Sequence, residues 1–348
     1  GMIPKPLTAR QVPGWQRALQ DSFTRPEALL HHLDLSDRLP LPPAARLRAF
    51  PFRVPRPFAD RMRRGDPADP LLLQVWPRAE ESLTPAGFSQ DAVGDLARLR
   101  GDGLIHKYHG RALLIATGAC GVHCRYCFRQ HFPYGDQHAA REGWRGALEL
   151  IAADTSIEEV ILSGGDPLSL SDDKLARLVE ALEAIPHLRR LRLHTRQPVV
   201  LPERVDAALL GWLSRSRLQK VVVLHINHAQ EIDDALQRAI AALRGTGATL
   251  LNQAVLLRGI NDSAEDQVRL SERLFASGVL PYYLHLLDRV AGSAHFEVSE
   301  REALELMRRI SARLPGYLVP RLAREEAGEP AKTTLAWTHI PSSTTCSP

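Results

Sequence analysis

Beyond residue 100 the chain alternates between two hydrophobic rhythms. Short runs dense in aliphatic and β-branched residues, Ala112–Thr117, Glu159–Ser163, Leu191–Thr195, Lys220–Asn227, Thr249–Leu256 and Pro281–Leu286, are the first kind. The second kind has apolar residues at three- and four-residue spacing, near 139–153, 171–185, 203–215, 230–243, 264–277 and 299–313. Period two predicts strands and a period near 3.6 predicts amphipathic helices. Strand–helix units repeated in series predict a parallel α/β architecture.

Residues 2–100 read otherwise. They are rich in Pro and Arg and carry only short helical patterns, at Pro13–Phe23, Arg25–Leu33 and Pro43–Phe50. A longer helix is expected over Phe88–Arg100, with Ser89 as its N-cap. The expected organisation is a helical extension over 1–100, a barrel over 101–298, and a C-terminal helix and tail over 299–348.

The strand ends decide between a flat sheet and a barrel. In order they carry the cysteine loop, Ser163-Gly-Gly-Asp166, His194-Thr-Arg196, His225-Ile-Asn-His228, Arg258-Gly-Ile-Asn-Asp262 and Asp288-Arg289. Polar groups after every strand suit the convergent loops of a barrel. A doubly wound sheet would concentrate them at one switch point. The expected fold is therefore a partial (β/α)6 TIM-like barrel, open on one side, with the extension covering its mouth.

Charge excludes some functions. With 44 basic against 40 acidic residues, the net charge of +4 is a near balance, so no nucleic-acid partner is expected. No secretion signal is visible, nor any apolar run approaching the ~18 residues of a membrane span.

Three of the four cysteines fall in Cys120-Gly-Val-His-Cys124-Arg-Tyr-Cys127, while Cys346 lies near the end of the chain. Thiolates hold iron–sulfur clusters, and three of them leave one iron of a [4Fe–4S] cube open. The C-x3-C-x2-C spacing differs from the paired arms of structural zinc sites and matches the signature of radical S-adenosylmethionine (SAM) enzymes. Such a thiolate cluster needs a reducing compartment, so the cytoplasm is expected.

Gly164-Gly165-Asp166-Pro167 follows a strand directly, and a glycine pair there permits a close backbone approach to a ligand. Lysine is scarce: Lys5, Lys107, Lys174, Lys220 and Lys332 are the set. Pyridoxal phosphate (PLP) requires a lysine and phosphate donors, and by position only Lys107 and Lys332 suit it. His225 and His228, with His194, read as hydrogen-bonded lining groups of a polar barrel rather than as metal ligands.

Several segments, in order, resemble the lysine 2,3-aminomutase family of radical SAM enzymes. They are Lys107-Tyr-His-Gly-Arg111, Cys120–Cys127 with Phe128-Arg129, Ser163–Leu168, Thr195–Pro202, His225–His228, Asn252–Asp262 and Pro281-Tyr-Tyr283 through Asp288. The resemblance spans about residues 95–335 and points to the short bacterial branch associated with β-lysylation of elongation factor P.

The resemblance implies three cofactors: a [4Fe–4S] cluster on Cys120, Cys124 and Cys127, SAM and PLP. Gly164, Gly165, Asp166 and Gln253 would serve SAM. Lys332 would carry PLP as a Schiff base, with Lys107, Tyr108 and Arg111 around that cofactor. Arg129 would grip the carboxylate of substrate lysine. Asp288, together with Glu325 or its neighbour Glu326, would pair with the ε-ammonium. The implied reaction moves the α-amino group of lysine from C2 to C3. Implied partners are an electron donor such as flavodoxin or ferredoxin and, through the product, elongation factor P and its lysyl ligase. A homo-oligomer is admitted but not specified.

Overall fold

The computed structural model describes residues 12–95, 99–100, 103–127, 129–130, 144–325 and 331–337. Its strands are β1 (Leu99–Arg100), β2 (Leu104–Tyr108), β3 (Arg111–Thr117), β4 (Glu159–Gly164), β5 (Arg190–Thr195), β6 (Gln219–Leu224), β7 (Thr249–Val255), β8 (Leu280–His285), β9 (Arg321–Arg324) and β10 (Thr333–Thr334). They form one sheet in chain order. From β3 to β9 every neighbouring pair is parallel, as helical crossovers require, and the flanking pairs are antiparallel. Among the described residues the first and last strands are not paired with each other, so the barrel is partial.

The six expected strands are β3 to β8. Three features depart from expectation. Leu104–Tyr108, for which no strand was expected, is β2, which turns at Gly110 (φ +75°) into β3 as a hairpin. The tail adds a seventh parallel strand, β9, against β8. No helix starts at Ser89: its N–H donates to Arg289 O (2.9 Å) and its carbonyl accepts from Ala291 N (2.8 Å), so the residue is pinned to the loop after β8. Leu99–Arg100, the end of that expected helix, is strand β1.

Outside the sheet lie α6 (Arg145–Ala153), α7 (Asp172–Glu183), α9 (Ala207–Arg215), α10 (Asp234–Gly245), α11 (Ala264–Ala276) and α12 (Glu300–Ser311), with the short α8 (Gln197–Val200) after β5. Most start where the sequence places a cap. Ser171, Asp206, Asp233, Ser263 and Ser299 each accept the backbone N–H three positions on, and Ser299 with Glu302 completes a capping box. Their apolar faces bury Leu178, Leu213, Ile240, Leu274 and Ile310 against outward-facing strand residues such as Leu162, Leu193, Leu224 and Ala254.

The inner face differs. A parallel strand covered by helices is normally apolar on both faces, yet along β5 Arg190, Arg192 and His194 alternate with buried Leu191, Leu193 and Thr195. The barrel interior is therefore a cavity with charged and polar groups among its apolar walls rather than a packed core.

The extension contributes α1 (Gly14–Gln20), α2 (Pro26–His32), α3 (Ala44–Ala49), α4 (Arg56–Ala59) and α5 (Leu72–Val75). Its own apolar cluster, including Trp15, Leu29, Phe52, Phe58, Leu72 and Trp76, takes in Val122 of the cysteine loop and Val200 and Leu201 after β5. It thus packs onto the loop it was expected to cover.

Candidate active site

The strand interiors and the loops at their C-terminal ends enclose a cavity of about 1130 Å3. Its upper wall holds Cys120, Cys124 and Cys127, all free thiols. Burial pushes each thiol above its ordinary pKa, Cys127 to about 11, and around Cys120 the neighbouring Cys127, Asp166 and Cys124 add to the effect. A metal that takes these sulfurs must displace their protons.

The loop is clamped from outside. Arg125, fully buried, grips Glu81 through Nε and Nη2 (2.8 Å each) and donates through Nη1 to Phe50 O and Pro51 O (3.1 Å each). Its own N–H donates to Gln74 O (2.9 Å), His123 Nδ1 meets Pro51 O at 2.7 Å, and Arg53 donates to Cys120 O at 3.3 Å. Burial works against ionisation of Glu81, yet its contacts with the guanidiniums of Arg125 and Arg46 hold it below the ordinary carboxylate range.

The glycine pair supports the loop from below. Gly164 has φ +127°, and a Cβ there would collide with Thr117 O; at Gly165 it would collide with Ala119 O. Instead Gly165 N donates to Thr117 O (2.8 Å) and Asp166 N to Ala119 O (2.7 Å). The close approach that glycine permits is thus first to the cysteine loop's own backbone. The Asp166 carboxylate accepts from Leu168 N (3.0 Å), Thr195 Oγ1 (2.6 Å), Arg196 N (2.7 Å) and Gln197 N (2.8 Å), which uses the four lone-pair directions of a carboxylate. Asp166 lines the cavity and organises the loops after β4 and β5.

Below the cysteines comes a layer of neutral polar groups. Asn227 donates to Tyr126 Oη (2.7 Å), which passes its own proton toward His225 Nε2 (2.6 Å). His228 points elsewhere: its Nδ1 accepts from Gln230 N (3.1 Å) and its Nε2 faces Asp266 (3.5 Å), so the two histidines do not share a ligand. His194 and His285 are held neutral, well below the ordinary imidazole pKa, by burial first and then by nearby cations including Lys332. The Nε2 atoms of His194, His285, Gln253 and Gln197 are buried without a hydrogen-bond partner among the described residues.

Lys332 enters this layer from the tail, with Nζ 5.4 Å from the Tyr283 ring centroid. Burial lowers its pKa, while the charges of Glu325 and Asp288 oppose the shift. Tyr108 donates to Glu325, which with burial pushes the phenol far up, and Arg111 lies 4.7 Å over the Tyr108 ring. Arg129 donates through Nε to Asp95 Oδ2 (2.8 Å) and through Nη1 to Ser163 Oγ (3.2 Å), all buried.

One cavity thus gathers Cys120, Cys124, Cys127, Gly164, Gly165, Asp166, Gln253, Arg129, Asp288, Glu325, Lys332, Tyr108 and Arg111. The Lys107 side chain and Glu326 lie outside the described residues, as does Cys346. Asp95, Arg192 and His285 join the site without having stood out in the sequence. The pairing of Asp95 with Arg129 had no local signal. The alternation of Arg190, Arg192 and His194 with leucines was such a signal.

No family model matches the chain. It is 49% identical over 323 residues to L-lysine 2,3-aminomutase of Escherichia coli (strain K12), covering 92% of this chain and 94% of that protein. It is 46% identical over 336 residues to the Haemophilus influenzae enzyme of the same name, covering 96% and 99%. The chain belongs to the lysine 2,3-aminomutase family. Another member, from Buchnera aphidicola, is 41% identical over 332 residues, 95% of this chain and 98% of that protein. Among solved structures, a radical SAM methyltransferase from Sphaerobacter thermophilus matches with TM-score 0.45 and 18% identity over 64% of this chain and 68% of its own.

The cofactors implied for a lysine 2,3-aminomutase fit the residues present. Three free thiols on one clamped loop suit a cluster with an open iron. The orphaned carboxamide nitrogens of Gln197 and Gln253 suit a polar ligand beside that loop. Lys332, a buried amine with a lowered pKa, suits capture of an aldehyde, and the orphaned His194 and His285 suit polar atoms of the same group.

Proposed function

We propose that this protein converts L-lysine to β-lysine by moving the α-amino group from C2 to C3. The observation that carries this is the meeting, in one cavity, of the thiol loop, Lys332, the cationic Arg129 and the acidic Asp288 and Glu325. The family membership supports it. The three thiols would hold a [4Fe–4S] cluster, Gly164, Gly165 and Gln253 would face SAM, and Lys332, Tyr108 and Arg111, with Lys107, would hold PLP. Together these groups supply a carbon-centred radical and a π-system that stabilises it during the migration.

The chain's own residues supply position. Asp95 and Ser163 fix the plane of Arg129, so its guanidinium presents a set edge to the substrate carboxylate. Asp288 and Glu325 place negative charge near Lys332, where an ε-ammonium would be held; the hydrogen bond from Tyr108 orients Glu325. Anchoring both ends restricts which hydrogen is within reach of the radical. Ile161, Val223, Val255 and Leu287 in the wall exclude water from that point. Asp166 acts here as the organiser of the pocket that faces SAM.

In this reading an acidic electron carrier such as a flavodoxin or ferredoxin reduces the cluster, and β-lysine passes to the ligase that modifies elongation factor P. The cytoplasm is the compartment that keeps the thiols reduced. No helix among the described residues is long and apolar enough to cross a membrane.

The test is an anaerobic assay with lysine, SAM, PLP and dithionite, reading β-lysine by mass spectrometry, with glutamate as the competing substrate. Lysine turnover that disappears in Lys332→Ala is expected. Turnover of glutamate in preference to lysine would overturn the substrate, because Asp288 and Glu325 would then face a second carboxylate. Failure to form 5′-deoxyadenosine at all would leave a non-catalytic iron–sulfur protein.

A further inference from the structure

Beside the cysteine loop a buried ion pair stands without a role in the function proposed above. Arg196 follows β5 and is 7% exposed; Glu231 follows β6 and is fully buried. They meet at 3.1 Å, through Arg196 Nη2 and Glu231 Oε1. Arg196 Nη1 donates to His225 O (2.6 Å) and Nη2 to Gln74 Oε1 (2.8 Å), and the guanidinium carbon lies 5.4 Å from the centroid of the Phe58 ring. Gln74 and Phe58 belong to α5 and α4, so the N-terminal extension helps to hold this side chain of the barrel. The other oxygen of Glu231 accepts from Asn227 N and His228 N (2.8 Å each), which fixes the acid in turn.

One nitrogen of the guanidinium is left over. Arg196 Nε is buried with no hydrogen-bond partner among the described residues. Arg196 lines the cavity together with Cys124, and its charge acts on that sulfur: burial raises the Cys124 pKa, and Arg196 is the largest influence against the rise. Burial also works against the charge of Arg196 itself, yet Glu231, then Tyr126 and Cys124, hold its pKa above the ordinary guanidinium value. Stability is a weak reason for such a pair, because replacing a buried ion pair by apolar side chains of similar volume is often neutral or stabilising. Hydrogen bonds and charge at the ligand sulfurs, by contrast, are what set the reduction potential of an iron–sulfur cluster.

We infer that Arg196 tunes electron entry: its guanidinium donates through Nε to the Cys124 thiolate and raises the reduction potential of the cluster held there, while Glu231 limits that rise. Reduction adds one electron, supplied by the carrier named above, and with it one negative charge beside Cys124; no bond breaks and no proton moves. A fixed cation at the sulfur favours the added charge, and an acid directly behind the cation opposes it. A charge-assisted N–H donor is also the stronger kind of hydrogen bond. The inference rests on the proposed cluster and extends it to two residues that had no assigned function.

The experiment uses the full chain with its cluster reconstituted, and reads the midpoint potential by a redox titration followed by electron paramagnetic resonance, with iron content measured on the same samples. In Arg196→Gln reduction should become about tenfold less favourable, which for one electron is a midpoint about 59 mV lower. Arg196→Lys, which keeps the charge without the fork, should recover part of that loss. Glu231→Gln should move the midpoint the other way. Opposite shifts from the two members of one pair are a result that a merely structural role would not give. Equal midpoints in wild type and Arg196→Gln, or shifts of the same sign in Arg196→Gln and Glu231→Gln, would overturn the inference while leaving the cluster in place. Should Arg196→Gln hold no iron, Glu231→Gln decides: a higher midpoint supports the tuning role, and an unchanged or lower one overturns it. A wild-type chain that takes up no cluster would overturn the reading of the three thiols and the inference with it.

Discussion

The two sides of the cysteine loop are built on opposite rules. On the outer side, toward the N-terminal extension, the groups that grip the loop are well partnered: Arg125 meets both oxygens of Glu81 and two backbone carbonyls, and His123 and Arg53 reach the backbone of each other's segment. On the inner side Gln197, Gln253, His194 and His285 each keep a buried nitrogen without a partner among the described residues. An unsatisfied buried donor costs about 1–3 kcal/mol, so a chain that leaves several around one cavity is shaped for ligands that satisfy them. The outer side holds geometry and the inner side awaits chemistry.

Three experiments would break or sharpen that contrast. The largest effect is expected from Arg125→Ala, which takes from buried Glu81 one of its two guanidinium partners, Arg46 remaining, and removes the donor to the carbonyls of Phe50 and Pro51. Removing one member of a buried ion pair costs about 3–5 kcal/mol, an upper bound here because Arg46 still balances Glu81, so thermal denaturation should shift down and iron content after reconstitution should fall. An unchanged melting temperature with normal iron loading would show that the outer clamp is ornamental.

Asp95→Asn tests the inner side. The amide keeps an acceptor near Arg129 Nε but removes the buried charge. The expected result is about a tenfold rise in KM for lysine, equivalent to about 1.4 kcal/mol, with kcat little changed. A fall in kcat at constant KM would place Arg129 in the chemistry instead of in substrate binding.

The smallest effect is one of pH. His194 and His285 sit well below the ordinary imidazole pKa of 6.5 because burial disfavours their charged forms. Below pH 6.5 the unfolded chain takes up protons that the folded chain refuses, so stability is lost as pH falls and is unaffected above that value. Each group contributes up to about 1.4 kcal/mol per pH unit in that window. Denaturant midpoints of the cofactor-free chain at pH 7.5 and 5.5 should differ in this direction, and less so in His194→Gln. Equal sensitivity of that variant would mean that the imidazole is not a neutral member of the wall.

Much of this was legible before any coordinates. The two hydrophobic rhythms beyond residue 100 marked β3 to β8 and the helices between them, and the cysteine spacing and the glycine pair marked the loops after β3 and β4. The failures share a cause. Phe88–Arg100 has helical spacing, yet Ser89 is claimed by backbone partners two hundred residues later, at Arg289 and Ala291. The pairing of β9 with β8 and the hairpin of β2 with β3 likewise depend on edges that local periodicity does not see. Asp95 falls inside the helix expected over Phe88–Arg100, where its spacing gave no sign of a partner.

What the sequence by itself determined is the inventory and the rhythm: three thiols at a fixed spacing, a glycine pair one strand later, one tail lysine, and strand–helix units whose polar ends converge. These are local properties, because cysteine spacing and hydrophobic period are written in consecutive residues. Tertiary structure decided which groups are spent and which are offered. Asp166 turned out to be occupied by four donors of its own chain, Arg129 acquired Asp95 and Ser163, and Arg190 and Arg192 were drawn together on Glu159. Such pairings exist only once parallel strands set residues from separate units side by side, since hydrogen-bond satisfaction depends on distance in space, not along the chain.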